Sequence, residues 1–146
     1  LDVYLNRTNL PLTSLVKDSI FETNSFLKEK PASLIEYAAF YGSIQIIKYL
    51  WLKKVELTPS LWMYTIHSKN AEIIHFLEDN HVIPPNSNFN ECLVQSIECH
   101  HNEISEYIRS QLLTVSEKGE NEYEEKIIEK YIESNNYREY PDLLFY

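Results

Sequence analysis

The chain has 146 residues, and its 22 acidic and 13 basic side chains give a formal net charge of −9. This acidic balance argues against sequence-independent binding to nucleic acid or to an anionic membrane surface. The two glycines, Gly42 and Gly119, are too few for a Gly-rich phosphate loop or a dinucleotide fingerprint, and no apolar run reaches the length of a membrane span.

Residues 1–32 make up the first segment of the chain. Its start, Leu1 to Tyr4, has neither the basic region nor the apolar stretch of a signal peptide. Further on, apolar residues recur at helical spacing between Leu15 and Leu27, with no clean register to the segments that follow. We therefore expect a divergent N-terminal helical unit.

Three related segments follow, covering residues 33–59, 60–90 and 91–113. Shifts of 27 and 31 residues align them, and the aligned columns share their physical type. The clearest columns are Ile46, Ile73 and Ile104, then Tyr49, Phe76 and Tyr107, then Leu50, Leu77 and Ile108. Such self-similarity at a fixed spacing is typical of repeat architectures.

Each repeat has the pattern of two short amphipathic helices joined by a tight turn. Ser33 and Ser60 are expected to be helix N-caps, because a serine hydroxyl can accept from the free amides of a first helical turn. Gly42 lies at the turn of the first repeat, where a positive φ suits glycine. The other two turns must be made by Lys69-Asn70 and by 100–102, in which asparagine tolerates that conformation best.

The chain continues with residues 114–122, a polar and mainly acidic stretch that we expect to be a loop. Residues 123–146 then begin with an amphipathic pattern from Tyr123 to Ile132, which predicts a partial C-terminal repeat. A single helical hairpin cannot bury its own apolar face, whereas stacked hairpins bury a continuous core. The pattern therefore predicts an all-α helical-hairpin repeat solenoid with divergent terminal units.

The first repeat carries a family resemblance. Its residues 33–42, read Ser-Leu-Ile-Glu-Tyr-Ala-Ala-Phe-Tyr-Gly, and the following Ile46, Ile47 and Leu50 resemble the ankyrin repeat. More narrowly, the chain is similar to a divergent, uncharacterised ankyrin-like domain found N-terminal to ankyrin arrays in trichomonad proteins. This resemblance implies an ankyrin fold and an interaction module without an assigned partner. The 27-residue first interval is shorter than the usual ~33, which implies shortened β-turn fingers.

The residues with metal or catalytic chemistry do not form a recognisable site. Cys92, Cys99, His100 and His101 are the one cluster of soft ligands, but consecutive residues on a helix point in different directions. No serine lies in a nucleophile elbow, and no histidine has an evident orienting carboxylate. We expect no metal, no cofactor, no small-molecule substrate and no enzymatic activity.

The two cysteines also bear on localisation. Cys92 and Cys99 lie seven positions apart on one predicted helix, so their α-carbons would be ~10 Å apart, too far for a disulfide. Free thiols favour a reducing compartment, and we expect a cytoplasmic or nuclear protein.

The candidate binding residues lie on the first helix of each repeat. In ankyrin-like stacking these helices line the concave face, and the outward columns then contain aromatic and polar side chains. The candidate groove residues are Tyr37, Phe40, Tyr41, Tyr64, His67 and Gln95. Tyrosine supplies large amphipathic contact area at low entropic cost, but the same rings could instead pack between neighbouring repeats. Both interpretations stay open, whereas Trp62 aligns with Ile35 and Leu93 and is expected in the core.

The sequence therefore favours a non-enzymatic protein–protein interaction or scaffolding module of ankyrin-repeat type, whose partner is another protein, with no nucleic acid or membrane bound. The alternative is a structural spacer or a capping segment of a longer array, because repeat arrays need polar terminal units to stay soluble.

Overall fold

The computed structural model describes residues 11–16 and 22–113. Within these ranges the regular structure is helical apart from one isolated antiparallel bridge between Leu15 and Ser33. The expected loop 114–122, the expected partial repeat 123–146, and residues 1–10 and 17–21 of the N-terminal unit lie outside the described residues. The α-helices are α1 (Ser25–Glu29), α2 (Leu34–Phe40), α3 (Ile44–Leu52), α4 (Leu61–Ser68), α5 (Ala71–Asp79), α6 (Asn90–Glu98) and α7 (Asn102–Tyr107).

The predicted all-α class is confirmed for this part of the chain. The helices α2/α3, α4/α5 and α6/α7 form three consecutive pairs whose partners pack on each other, and α2 packs on α4 as α4 does on α6. A 3₁₀ turn (Pro85–Ser87) precedes α6, and a π-helical turn (Ile108–Leu112) extends α7.

The start of α2 is linked to the start of α4 through one carboxylate. Both the backbone N–H and the hydroxyl of Ser33 donate to Glu36 at 2.8 Å. Ser60 occupies the N-cap of α4 as expected, but its hydroxyl makes no bond to its own helix. It donates instead to the second oxygen of Glu36. The carboxylate therefore joins two successive helix pairs.

The turn inside each pair uses a left-handed residue in the same aligned column. Gly42, Lys69 and His100 have φ of 71°, 55° and 56°. The asparagine expected to take this conformation, Asn70, is instead the N-cap of α5 and accepts from the Glu72 N–H at 3.0 Å. Its amide nitrogen donates to the Gly42 carbonyl at 3.0 Å and so connects adjacent turns. An N-cap needs extended backbone, which leaves the lysine before it to make the left-handed turn.

The second helix of each pair also ends in one recurring way. The amide of Val55 donates to the Leu50 carbonyl at 3.1 Å, and that of Val82 donates to the Leu77 carbonyl at 3.0 Å. Leu113 bonds to Ile108 in the same manner at 3.0 Å. These six-residue closures satisfy carbonyls that a helix end would leave without a partner.

The core lies between the helix pairs, as the aligned columns predict. Trp62 is 1% exposed and its indole N–H donates to the Val82 carbonyl at 2.7 Å, which confirms its expected core position. On the outer side, Lys48 of α3 bonds to Glu72 of α5 at 2.9 Å. The other buried members of the aligned columns are Ile35, Leu50, Ile73, Leu77, Leu93, Ile104 and Ile108. Ile46 and the column of Tyr49, Phe76 and Tyr107 are half-buried.

We predict opposite effects of two substitutions in the turn column. Lys69→Gly relieves the backbone strain of a lysine in the left-handed conformation, so it should raise the free energy of unfolding by about 0.5–1 kcal/mol. Gly42→Ala should lower the free energy of unfolding by about 1–2 kcal/mol. The added Cβ has space, with its nearest atoms 3.7 Å away, but alanine disfavours the positive φ of this position. Denaturant unfolding followed by circular dichroism measures both changes.

The matched control is Gln45→Gly at the exposed second residue of α3, where glycine should lower the free energy of unfolding by roughly 0.5–1 kcal/mol because it has more backbone freedom to lose on folding. A loss of stability in the Lys69 variant would contradict the role given to this turn.

Candidate functional site

Five of the six candidate groove residues lie on the first helices of the three pairs, namely α2, α4 and α6, and Tyr41 directly follows α2. We call the six residues the aromatic face. Tyr41 is 54% exposed, whereas Tyr64 is only 5% exposed. Between these extremes, Tyr37, Phe40, His67 and Gln95 are half-buried.

Ring contacts connect α2 to α4. The Tyr41 ring lies 4.9 Å from that of Tyr37 and 5.1 Å from that of Phe40, measured between centroids. Phe40 in turn lies 5.0 Å from the imidazole of His67. These distances fall in the range of favourable aromatic pairs.

Polar contacts continue the row from α4 to α6. The Cys99 thiol is 3.4 Å from Nδ1 of His67, and the side-chain amide of Gln95 donates to the same sulfur at 3.8 Å. The Gln95 amide also donates to Glu98 at 3.1 Å. Five of the six predicted residues therefore form one continuous row across three helices, with Cys99 as the connecting side chain.

Tyr64 is placed differently from the outward position expected for it. Its ring packs edge-on against Phe26 with a centroid distance of 5.2 Å, and its hydroxyl donates to the Lys30 carbonyl at 3.4 Å. Both contacts come from α1 and the residue that ends it. The ring is buried because the N-terminal segment covers this part of the aromatic face.

Phe26 is the residue that the sequence analysis missed. Its ring lies 4.2 Å from the imidazole of His67 and stacks at 6.0 Å on Phe40. The one local signal was Asn24, whose side chain accepts from the Phe26 N–H at 3.0 Å and starts a helix there. This signal places the helix but not the surface on which it packs.

Glu22 was also missed, and its carboxylate binds the two tyrosines of α2. One oxygen accepts from the hydroxyls of Tyr37 at 3.2 Å and Tyr41 at 3.3 Å. The backbone N–H of Asn24, with these hydroxyls, holds the pKa of Glu22 below its usual value. The hydrogen bond with Tyr41, together with burial and the Glu22 charge, raises the pKa of Tyr37 to about 12.

His67 and Cys99 form a neutral pair. Burial, with minor contributions from His101 and Lys30, lowers the pKa of His67 to about 4. Burial raises the pKa of the Cys99 thiol. Near neutral pH the thiol therefore keeps its proton and the imidazole is uncharged. This arrangement differs from the thiolate–imidazolium pair of an activated cysteine.

Among residues 11–16 and 22–113, no three histidine, cysteine or acidic side chains are arranged to hold a metal ion. A depression of about 590 Å³ lies where α3 and α5 end, and its rim includes the exposed Trp51, Leu52 and Ile83. It shares no residue with the aromatic face.

Comparisons with known proteins give no relative for this chain: no family model matches it, and no curated protein or solved structure is significantly similar. The resemblance to ankyrin repeats therefore rests on the sequence alone, on residues 33–42 and the following Ile46, Ile47 and Leu50. In the part of the chain that the structure describes, no helix has both the length and the hydrophobicity to cross a bilayer.

We predict that His67 makes the protein less stable in mild acid. In the unfolded chain its pKa is about 6.5, and in the folded chain about 4. Its contribution to stability is thus complete above pH 6.5 and falls as the pH drops, because only the unfolded state then takes up the proton. Between pH 7 and pH 5 we expect a loss of about 1–2 kcal/mol, reduced for partial solvent exposure.

Urea unfolding of the wild type and of His67→Phe, each at pH 7 and pH 5, measures this loss. The phenyl ring keeps the aromatic packing without the titrating proton, so the wild type should lose more stability than this variant between pH 7 and pH 5. An identical pH dependence for the two proteins would show that His67 is not the group responsible.

Proposed function

We propose that this chain is a non-enzymatic protein–protein interaction or scaffolding module of ankyrin-repeat type. The observation that carries the proposal is the continuous row of aromatic and polar side chains across α2, α4 and α6, with Tyr41 exposed at one end. Rigid amphipathic rings on consecutive helices provide the kind of contact area that binding surfaces favour.

The helix pairs support the ankyrin-type part of the proposal. Left-handed residues recur at Gly42, Lys69 and His100, and the second helices end in the same six-residue closure. Pairs that share their turn geometry can stack with one repeated relation, as in a solenoid. We propose that residues 33–59, 60–90 and 91–113 are three such units.

The partner that fits this surface is another protein. The net charge of −9 makes nucleic acid and anionic membranes poor partners, and we propose neither of them, nor a small-molecule substrate or cofactor. The free thiols of Cys92 and Cys99 support a cytoplasmic or nuclear location.

The alternative function, a spacer or a capping segment of a longer array, has its own support. Tyr64 is buried, and Phe26 packs against Phe40 and His67, so part of the aromatic face serves internal packing. A terminal unit that covers its own apolar surface is what a repeat array requires at its end.

A matched pair of variants separates these functions. Tyr41→Ala/Gln95→Ala removes accessible side chains from the aromatic face, and Leu52→Ala removes an exposed apolar side chain from the depression at the ends of α3 and α5. Proximity labelling in cells followed by quantitative mass spectrometry compares both with the wild type. We expect a defined partner to be lost at least fivefold in the double variant and retained in the Leu52 variant.

Circular dichroism and thermal melting check that both variants stay folded. Equal partner recovery with all three proteins would contradict binding through the aromatic face and favour the spacer.

A further inference from the structure

The aromatic face already holds a peptide segment, and that segment belongs to the chain itself. Phe26 of α1 lies against Phe40, Tyr64 and His67, with centroid distances of 6.0, 5.2 and 4.2 Å. A single ring thus contacts residues of both α2 and α4.

A second anchor lies four residues earlier in the chain. The Glu22 carboxylate accepts from the hydroxyls of Tyr37 and Tyr41 at 3.2 and 3.3 Å. Between the two anchors, Asn24 caps the helix by accepting from the Phe26 N–H. The segment therefore presents a carboxylate to a pair of phenols and a ring to an aromatic cluster.

The rest of α1 adds one contact with the hydrophobic core, through Leu27, which is 5% exposed. The helix has five residues, far fewer than the ~12–15 that an isolated helix needs to be even marginally stable. Ser25, Lys28 and Glu29 are exposed, and Leu27 is its one buried residue. Segments with so few buried contacts open at low free-energy cost.

The segment is joined to the first helix pair by a short connection. Its C-terminal end at Lys30 is followed by the exposed Pro31, and the chain is fixed again only at Ala32, whose carbonyl accepts from the Val16 N–H at 2.7 Å. Displacement of α1 would expose Tyr64 and complete the row that the sequence predicts.

We propose that the aromatic face is a peptide-binding site that α1 occupies in cis. In trans it accepts a partner segment with a carboxylate four residues before an aromatic ring and a helix start between them. This inference rests on the proposed function. It adds the chemistry of the partner segment and the way in which α1 regulates its binding. The internal segment lowers the apparent affinity for a partner by the fraction of molecules in which the face is covered.

The test uses the full chain and a labelled peptide that copies residues 22–29, with both ends blocked. Phe26→Ala removes the internal ring, and fluorescence anisotropy measures peptide binding to this variant and to the wild type. We expect the variant to bind at least tenfold more tightly. A second peptide in which alanine replaces the phenylalanine should not bind, and Leu52→Ala should behave as the wild type does.

Glu22→Gln serves as the second variant, because it weakens the other anchor and leaves all buried rings in place. It should bind the peptide more tightly than the wild type and more weakly than Phe26→Ala does. If Phe26→Ala is unfolded by circular dichroism, the Glu22 variant decides the question in its place.

Three results would overturn the proposal: no gain in peptide affinity in a folded variant, equal binding of the peptide without the ring, or exchange of α1 between two copies, detected as dimers by light scattering. A partner that still depends on Tyr41 and Gln95 would in those cases leave the proposed function intact. If partner recovery did not depend on Tyr41 and Gln95 but the peptide still bound to the chain, the result would count against the proposed function alone.

Discussion

The whole arrangement depends on ending each short helix at a fixed residue. Between α2 and α6 the helices have seven to nine residues, too few to be stable by themselves. Each therefore needs a partner that returns along it at once, and a left-handed residue provides the reversal. Gly42 does so without strain, whereas Lys54, Lys69, His81 and His100 adopt the same φ range at a cost. Burial of the paired helices offsets this cost.

The all-α class and part of the core could be predicted from sequence, because buried positions follow the aligned columns. Trp62 aligns with Ile35 and Leu93, and all three are buried. The turn column was also found, through Gly42. Its occupants in the later repeats were harder to predict, since the preference of Asn70 for the N-cap outweighs its tolerance of the left-handed region. Local propensity gave the position of the turn, but not which of two adjacent residues makes it.

The covering of the aromatic face could not be predicted in the same way. Residues 22–29 align with no column of the repeat, so the spacing carries no information about where α1 packs. Tyr64 illustrates the consequence, because its column predicts an outward ring while the ring is buried by Phe26, which lies 38 residues earlier in the sequence. Such a contact between distant residues follows from shape and burial rather than from periodicity. Aromatic residues make this ambiguity acute, since one ring suits both packing and binding.

Burial also decides the chemistry of His67 and Cys99. In a polar and exposed setting, an imidazole 3.4 Å from a thiol could take its proton and leave a thiolate. Here desolvation disfavours both charged forms at once, which lowers the pKa of the imidazole and raises that of the thiol. The pair is therefore a neutral hydrogen bond that joins α4 to the end of α6. The same low-polarity environment favours the packing of an aromatic ring such as Phe26. The low polarity of the face therefore explains both the protonated Cys99 thiol and the burial of the Phe26 ring against it.

Binding and packing need not be exclusive functions of this face. If the aromatic face served packing alone, a covering segment with many buried apolar side chains would stabilise it most. Helix α1 instead buries one residue and leaves most of its length exposed. A surface that only bound a partner would leave Tyr64 accessible in the free protein, at the cost of exposed apolar area. A short segment with two anchors meets both requirements, because it shields the rings when no partner is present and can be displaced by a segment with the same anchors. The weak hold of α1 is then what allows one set of side chains to stabilise the free chain and to recognise a partner.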